Sequence, residues 1–248
     1  MTQSSNNKSA VKKKAPTTAF KTVETAQGAR LLQDGAVLSV ALRKPGPTHS
    51  VFDVLGSLIR LLCPGPRLAI LGFAGGGLLA PMRQLGCRNR VVAVDLSAEG
   101  YEVFKKHSSH WAGDVTFHHA EAQGWLSRQR GQWDMILEDL SMAQGGEVMK
   151  PDICWTTLPA IIRESLKPGG IALFNLLTPA EPSWVQGIAH VSAGHKTARV
   201  VTFDDYENRM LVVGPNLPTA HELSHLLYQS LARLNSRQAG RCSVETVR

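Results

Sequence analysis

Apolar residues recur along this chain in two periods, one of two residues and one of three to four, which replace each other at regular intervals. GARLLQDGAVLSVAL (28–42) holds two short apolar runs around Asp34-Gly35. An Asp-Gly pair between such runs predicts a hairpin, because both turn positions favour positive φ. Pro45-Gly46-Pro47 breaks the pattern, and SVFDVLGSLIRLL (50–62) then carries apolar residues at helical spacing as far as Pro64-Gly65-Pro66. RLAILG (67–72), RVVAVDL (90–96), DVTFHH (114–119), WDMILEDL (133–140) and GIALFNLL (170–177) read as strands. Helix-like stretches at 78–85, 98–110, 121–130 and 155–166 separate them, with a loop rich in Gly and Met at 141–151. Strands alternating with helices of this length predict βαβ units and a parallel sheet with right-handed crossovers.

The pattern changes after that. TARVVTF (197–203) and NRMLVVG (208–214) are joined only by Asp204–Glu207, too short for a helical crossover, so they form an antiparallel pair, most simply at the sheet edge. Residues 220–234 form an amphipathic helix with Leu223, Leu226, Leu227, Leu231 and Leu234 on a packing face. The expected fold is α/β: a Rossmann-like doubly wound sheet of about seven strands with a closing antiparallel pair, preceded by a short β-hairpin. The expected divisions are a disordered basic tail (1–25), a hairpin region (26–48), the main domain (49–237) and a frayed end (238–248).

Composition adds limits more than content. The 248 residues carry a net charge of +7, and Lys8, Lys12, Lys13, Lys14 and Lys21 crowd a Ser/Asn/Thr-rich start that cannot order itself by burying apolar surface. Weak contact of that tail with a polyanion is the one nucleic-acid role it suggests, since no aromatics are interleaved to stack bases. Cys63, Cys87, Cys154 and Cys242 are scattered without a CxxC pair and read as free thiols. No apolar run reaches the ~18–20 residues of a spanning helix, and the first residues lack a signal peptide's apolar stretch. A cytoplasmic protein without a membrane role is expected. His107, His110, His118 and His119 lie close in sequence but lack a companion Cys or an HExxH spacing, so no metal is expected.

The chemistry gathers at the ends of the strands. Gly72-Phe73-Ala74-Gly75-Gly76-Gly77 lies between a predicted strand and a predicted helix, where small residues let backbone N–H groups approach a ligand. The string nearly fits a dinucleotide fingerprint, with Ala74 in place of a glycine. Asp95 ends the next strand, where a carboxylate can accept both hydroxyls of a ribose. Leu96 follows it. Glu121, followed by Ala122, sits after the third strand, placed either to read an adenine amino group or to cap a helix. Glu138 and Asp139 end the fourth strand. Alternation sends them to opposite faces and leaves Glu138 as a solvated strand-end charge.

The run from Ala26 to Gly214 resembles the spermidine synthase-like branch of the class I S-adenosylmethionine-dependent transferases. In that family a glycine loop and acids after the second, third and fourth strands line the cofactor pocket, and Gly72–Gly77, Asp95, Glu121 and Asp139 stand in those places. Lys167-Pro168-Gly169-Gly170 and the closing antiparallel pair resemble the wider methyltransferase class. The resemblance implies an S-adenosylmethionine site formed by Gly72, Ala74, Gly75, Gly76, Asp95, Leu96, Glu121, Ala122 and Asp139. Asp139 is expected to be the catalytic residue, orienting or deprotonating the acceptor, with Tyr206 and Asn208 of the closing pair towards the substrate. The departures lie on the acceptor side. The family's aminopropyltransferases carry a second Asp where this chain has Met142, an acid within the glycine loop where it has Ala74-Gly75, and a Tyr-His-Glu-like string where it has Ser50-Val51-Phe52-Asp53. Without carboxylates for both ammonium groups a diamine loses its partners. The expectation is therefore a methyltransferase acting on an unidentified acceptor, a small molecule or a protein, with homodimerisation left open. The alternatives are aminopropyl transfer from decarboxylated S-adenosylmethionine and a non-catalytic binding module.

Overall fold

The computed structural model describes residues 20–144, 147–178 and 183–247; all of the expected tail before Phe20 lies outside that range. The chain opens with a three-stranded antiparallel meander, β1 (Lys21–Thr25), β2 (Gly28–Gln33) and β3 (Ala36–Leu42). The turn of the expected hairpin has Asp34 and Gly35 at φ 48° and 85°, the left-handed pair that the Asp-Gly dipeptide favours. β1 corrects the expectation of a tail reaching residue 25. Its residues are nearly all exposed, so hydrophobic patterning could not reveal it. It is held by ladder pairing to β2 and by Glu24, which meets Lys106 and His107.

The rest follows the predicted rhythm: α1 (Val51–Leu62), β4 (Arg67–Leu71), α2 (Leu79–Gln84), β5 (Arg90–Asp95), α3 (Glu99–His107), α4 (Ser109–Ala112), β6 (Val115–His119), α5 (Ala122–Leu126) and β7 (Trp133–Glu138). The loop at 141–151 contains a small pairing of β8 (Met142–Gln144) with β9 (Glu147–Met149). A 3-10 turn (Asp152–Cys154), α6 (Leu158–Ser165), β10 (Leu166–Leu176), α7 (Trp184–Ser192), β11 (Thr197–Phe203), β12 (Arg209–Gly214), α8 (Ala220–Arg233) and β13 (Cys242–Thr246) complete the chain. Ser50 caps α1, its side chain accepting from the Phe52 N–H. Asp53, fully buried in the first turn, accepts from the Thr48 and His49 N–H groups and, at 2.6 Å, from the Ser236 hydroxyl.

The main sheet runs β13-β11-β12-β10-β7-β4-β5-β6, with β10, β7, β4, β5 and β6 parallel and β12, β11 and β13 antiparallel in turn. It has eight strands, against about seven expected. The extra one, β13, replaces the frayed end expected over 238–248. Cys242 and Val244 pack inward, but the stretch is too short and too polar to stand out before β11 presents it with an edge. The closing pair lies inside this edge, with β12 against β10. Helix α7 was not legible in the sequence, its stretch being short and bordered by Pro and Ser. The predicted helix at 155–166 starts later, at Leu158, and that at 121–130 ends at Leu126.

Helices cover both faces of the sheet, which is why strands such as β7 are buried along their whole length. Along β10, Ile171 and Leu173 enter a core shared with α1, α2, α3 and α8, while Ala172, Phe174 and Leu176 enter the other with α5, α6 and α7. On α8, Leu223, Leu227 and Leu231 pack as expected and Leu234 is buried, but Leu226 is 37% exposed. Among the described residues no helix is long and apolar enough to cross a membrane.

Candidate active site

From β4 the chain winds outward one way through β5 to β6, and from β7 the other way to β10. β4 and β7 are neighbours, so the order reverses between them. In open α/β sheets ligands lie beyond the carboxyl ends of the strands at such a reversal. Here the glycine loop leaves β4 and Asp139 leaves β7.

Gly72 adopts φ 86°, and a Cβ there would sit 2.5 Å from the Asp139 carbonyl oxygen, so loop and acid are in backbone contact that only glycine allows. The Gly72 N–H donates to the Val94 carbonyl (2.9 Å) and the Asp139 N–H to that of Leu71 (2.8 Å). Asp95 then secures the loop. Its Oδ2 accepts from the N–H groups of Phe73 and Ala74, both at 2.8 Å, and its Oδ1 from that of Ser97 at 2.9 Å. Ala74 is thereby held at φ 44°, an uncommon conformation for a residue with a side chain. From above, the meander reaches down: the Gly77 N–H donates to the Ser39 hydroxyl (3.1 Å), and a Cβ on Gly75 would lie 3.3 Å from the same oxygen. The Cβ side of Gly75 therefore packs closely against β3. Gly76, at φ 67°, is backed by Phe73 and Phe104.

The two acids at the end of β7 differ sharply. Glu138 corrects the expectation of a solvated charge. It is 1% exposed, pairs with the equally buried Lys150 ammonium at 2.8 Å and accepts from the Leu140 N–H at 2.8 Å. Alternation does turn it away from Asp139, but that face is covered by the segment carrying Lys150, which periodicity did not resolve. Asp139 is half-buried, and its Oδ1 accepts from the Asn175 amide at 2.6 Å. Burial pushes its carboxyl up to about 7; Lys150 and the Asn175 bond oppose this, while Glu138 and Asp95 add to it. Asn175 also accepts, on its side-chain oxygen, from the Asn208 amide at 2.9 Å, and on its main-chain oxygen from Lys150 at 2.6 Å. Asn175 and Lys150 were missed in the sequence. The signal for Asn175 was present, a lone amide inside the apolar run GIALFNLL. For Lys150 there was none.

The other expected residues divide. Leu96 is 69% exposed at the end of β5, an apolar side chain open at the sheet edge, with its carbonyl 2.9 Å from His119 Nε2. Glu121 is exposed and caps α5, accepting from the N–H groups of Gln123 (2.8 Å) and Gly124 (2.6 Å), so the capping alternative is what the structure contains. Ala122 is 4% exposed, and its side chain belongs to the core beside Trp125. Asn208 and Tyr206 line a cleft of about 370 Å³ together with Trp184, Phe203, Glu207 and Arg209. Tyr206 meets Phe203 edge to face at 5.9 Å, and the Arg209 guanidinium lies 4.4 Å over the Trp184 ring. Among the described residues no group of three or more His, Cys, Asp or Glu side chains could hold a metal ion.

No family model matches the sequence, and no curated protein does either. The structure does match solved ones. A probable spermidine synthase from Corynebacterium glutamicum superposes with a TM-score of 0.72 at 11% identity, over 94% of this chain and 88% of that one. The spermidine synthase from Thermotoga maritima gives 0.59 at 12% identity, over 79% of this chain and 68% of that one. Human methyltransferase-like protein 13, solved in complex with SAH, gives 0.59 at 19% identity, over 75% and 90%. At these identities the likeness establishes the fold, the one that spermidine synthases share with class I methyltransferases.

Proposed function

We propose that this chain is an S-adenosylmethionine-dependent methyltransferase in which Asp139 takes the proton of the acceptor. The observation that carries the reading is the state of Asp139. It is a carboxylate at the sheet's reversal point, fixed on one oxygen by Asn175 and raised to about 7, close to the ideal for a base working near neutrality.

The residues suit an adenosyl sulfonium. Asp95, Glu138 and Asp139 crowd one edge, and the buried cation among them, Lys150, is already paired with Glu138. Among the described residues neither Asp95 nor Asp139 forms an ion pair, which leaves their charge for a bound cation. Asp95 spends two of about four lone-pair directions on the glycine loop and one on the Ser97 N–H, and keeps one for a ribose hydroxyl. Leu96 offers an exposed apolar surface beside it for a base. Bound there, S-adenosylmethionine supplies an electrophilic methyl carbon on sulfur. With Oδ1 occupied by Asn175, Asp139 would take the proton of an acceptor hydroxyl or amine on Oδ2, leaving the acceptor's lone pair to meet the methyl carbon that bound S-adenosylmethionine would supply. Methyl transfer asks little else of the protein than alignment.

Calorimetry with S-adenosylmethionine and with its decarboxylated form tests the cofactor; Asp139→Asn tests the base. We expect the substitution to lower methyl transfer by about 10²–10⁴-fold, the usual worth of general base catalysis, and to weaken cofactor binding by far less than that. Equal turnover in the variant would remove Asp139 from the chemistry, and absence of cofactor binding would favour the non-catalytic module.

The likeness to spermidine synthases supports the aminopropyl alternative as far as the fold goes. Its second carboxylate is replaced by Met142, 47% exposed, and burying an ammonium without a partner costs several kcal/mol. Putrescine with decarboxylated S-adenosylmethionine should give no product. Turnover near ~1 s⁻¹, an ordinary enzyme rate, would install aminopropyl transfer instead.

A further inference from the structure

Asp139 is joined to the aromatic cleft by a chain of two amides. Asn208, on the cleft wall, donates from Nδ2 to Asn175 Oδ1 (2.9 Å), and Asn175, 7% exposed, donates from its own Nδ2 to Asp139 Oδ1 (2.6 Å). The direction of these bonds follows from proton inventory. An ionised carboxylate has no hydrogen to give, so Asn175 must turn its NH2 towards Asp139. Its carbonyl oxygen then faces Asn208, which must in turn present its own NH2. That leaves the Asn208 carbonyl oxygen as the free end of the chain, and among the described residues no donor is bonded to it. Asn175 itself is held from a third side, its main-chain oxygen accepting from Lys150.

We propose that Asn175 and Asn208 are positioning residues forming a one-directional hydrogen-bond chain, which orients the Asp139 carboxylate and ends in the cleft at an amide oxygen that recognises a hydrogen-bond donor on a flat, aromatic acceptor. The flat shape follows from Trp184, Phe203 and Tyr206, which line the same cleft. The proposal rests on the methyltransferase reading only in calling the occupant an acceptor.

The chain makes binding and ionisation mutually dependent. If Asp139 took a proton on Oδ1 it would become a donor there, both amides could reverse, and Asn208 would offer NH2 instead of oxygen to the cleft. A donor in the cleft therefore favours the arrangement in which the base is ionised. The other charged groups that act on Asp139 are Lys150, which favours ionisation, and Glu138 and Asp95, which oppose it.

The test follows the Asp139 carboxyl carbon by NMR against pH in the full chain, with Asn175→Leu and Asn208→Leu. Asn175→Leu removes a direct donor and should raise the Asp139 midpoint by about one pH unit. Asn208→Leu touches Asp139 nowhere, yet should raise the midpoint by about a tenth to a third as much, since each bond in a chain strengthens the next. An unmoved midpoint in Asn208→Leu, with the fold intact by circular dichroism, would overturn the chain. Ligand-observed NMR with phenol and anisole tests the far end. Phenol should bind the wild-type cleft at least ~5-fold more tightly, and Asn208→Leu should erase the preference. Equal binding of the two probes by the wild-type protein would overturn the donor assignment. Neither measurement needs S-adenosylmethionine, so failure of cofactor binding would sink the methyltransferase reading and leave the chain in place.

Discussion

Asp139 ionises against the interests of the fold. Its carboxyl is raised from 3.8 to about 7, so the folded chain holds this proton more tightly than the unfolded chain. Wherever the native state binds more protons, stability falls as pH rises, here between about pH 4 and 7, and the loss persists above that. Asp139→Asn removes the titration. Relative to wild type, the variant should melt higher at pH 8 and unchanged at pH 4, while losing activity, the usual trade between a strained site and stability. Scanning calorimetry at the two pH values checks this; an equal shift at both would mean that Asp139 ionisation is not the cause. The pair beneath it behaves oppositely. Lys150→Met strands the Glu138 carboxylate, whose side chain is 1% exposed, and should cost about 3–5 kcal/mol in urea unfolding. Adding Glu138→Gln keeps the acceptor for the Leu140 N–H and should restore most of that loss. If the double variant is no more stable than Lys150→Met, the charge pair is not what Lys150 supports.

Among the elements, the glycine loop is the least tolerant. Gly72→Ala meets both a positive φ and the Asp139 carbonyl 2.5 Å from the new Cβ, so it should destabilise by at least about 1–3 kcal/mol, the cost of the backbone conformation alone. Gly75→Ala, which needs no positive φ and would meet only the side chains of Ser39 and Leu31 at 3.3–4.0 Å, should cost far less. Comparable melting temperatures for the two variants would contradict this reading of the loop. The parallel strands and the loop were legible in advance because short apolar runs alternate with stretches of helical spacing, and one of those runs, RLAILG, leads into glycines. Strand β1 and strand β13 were not. β1 is held by its ladder with β2 and by Glu24, which meets Lys106 and His107 far along the chain, and β13 by the open edge of β11. The same limit hid Lys150, whose role depends on a loop folding back over β7. Asp95 and Asp139 were visible as strand-end acids, whereas the Asn175 link between Asp139 and Asn208 required the pairing of β10 with β12 to become apparent. Truncation after Gly240 should uncover β11, whose Val200 and Val201 then lie on a free edge, and produce self-association by light scattering. A truncated chain that stays monomeric would show that β13 is dispensable as an edge cover.

At the scale of the molecule, two cores lie on either side of one sheet, and the reversal between β4 and β7 opens where both the glycine loop and Asp139 emerge. The meander seals the loop from above through Ser39, and α8 and β13 close the far flank. That flank is fastened at its start by the bond from Ser236 to the buried Asp53, partners 183 residues apart. Such a distance has a consequence in time. Closing a long loop is entropically dearer than closing a short one, so contacts local in sequence form before those that are remote. Refolding should therefore begin with the β2–β3 hairpin and end with the Asp53–Ser236 clasp. In pulse-labelled hydrogen exchange the amides of β2 and β3 should gain protection first and those of β13 last. An order in which β13 is protected together with β3 would mean that the clasp, despite its span, belongs to the folding nucleus.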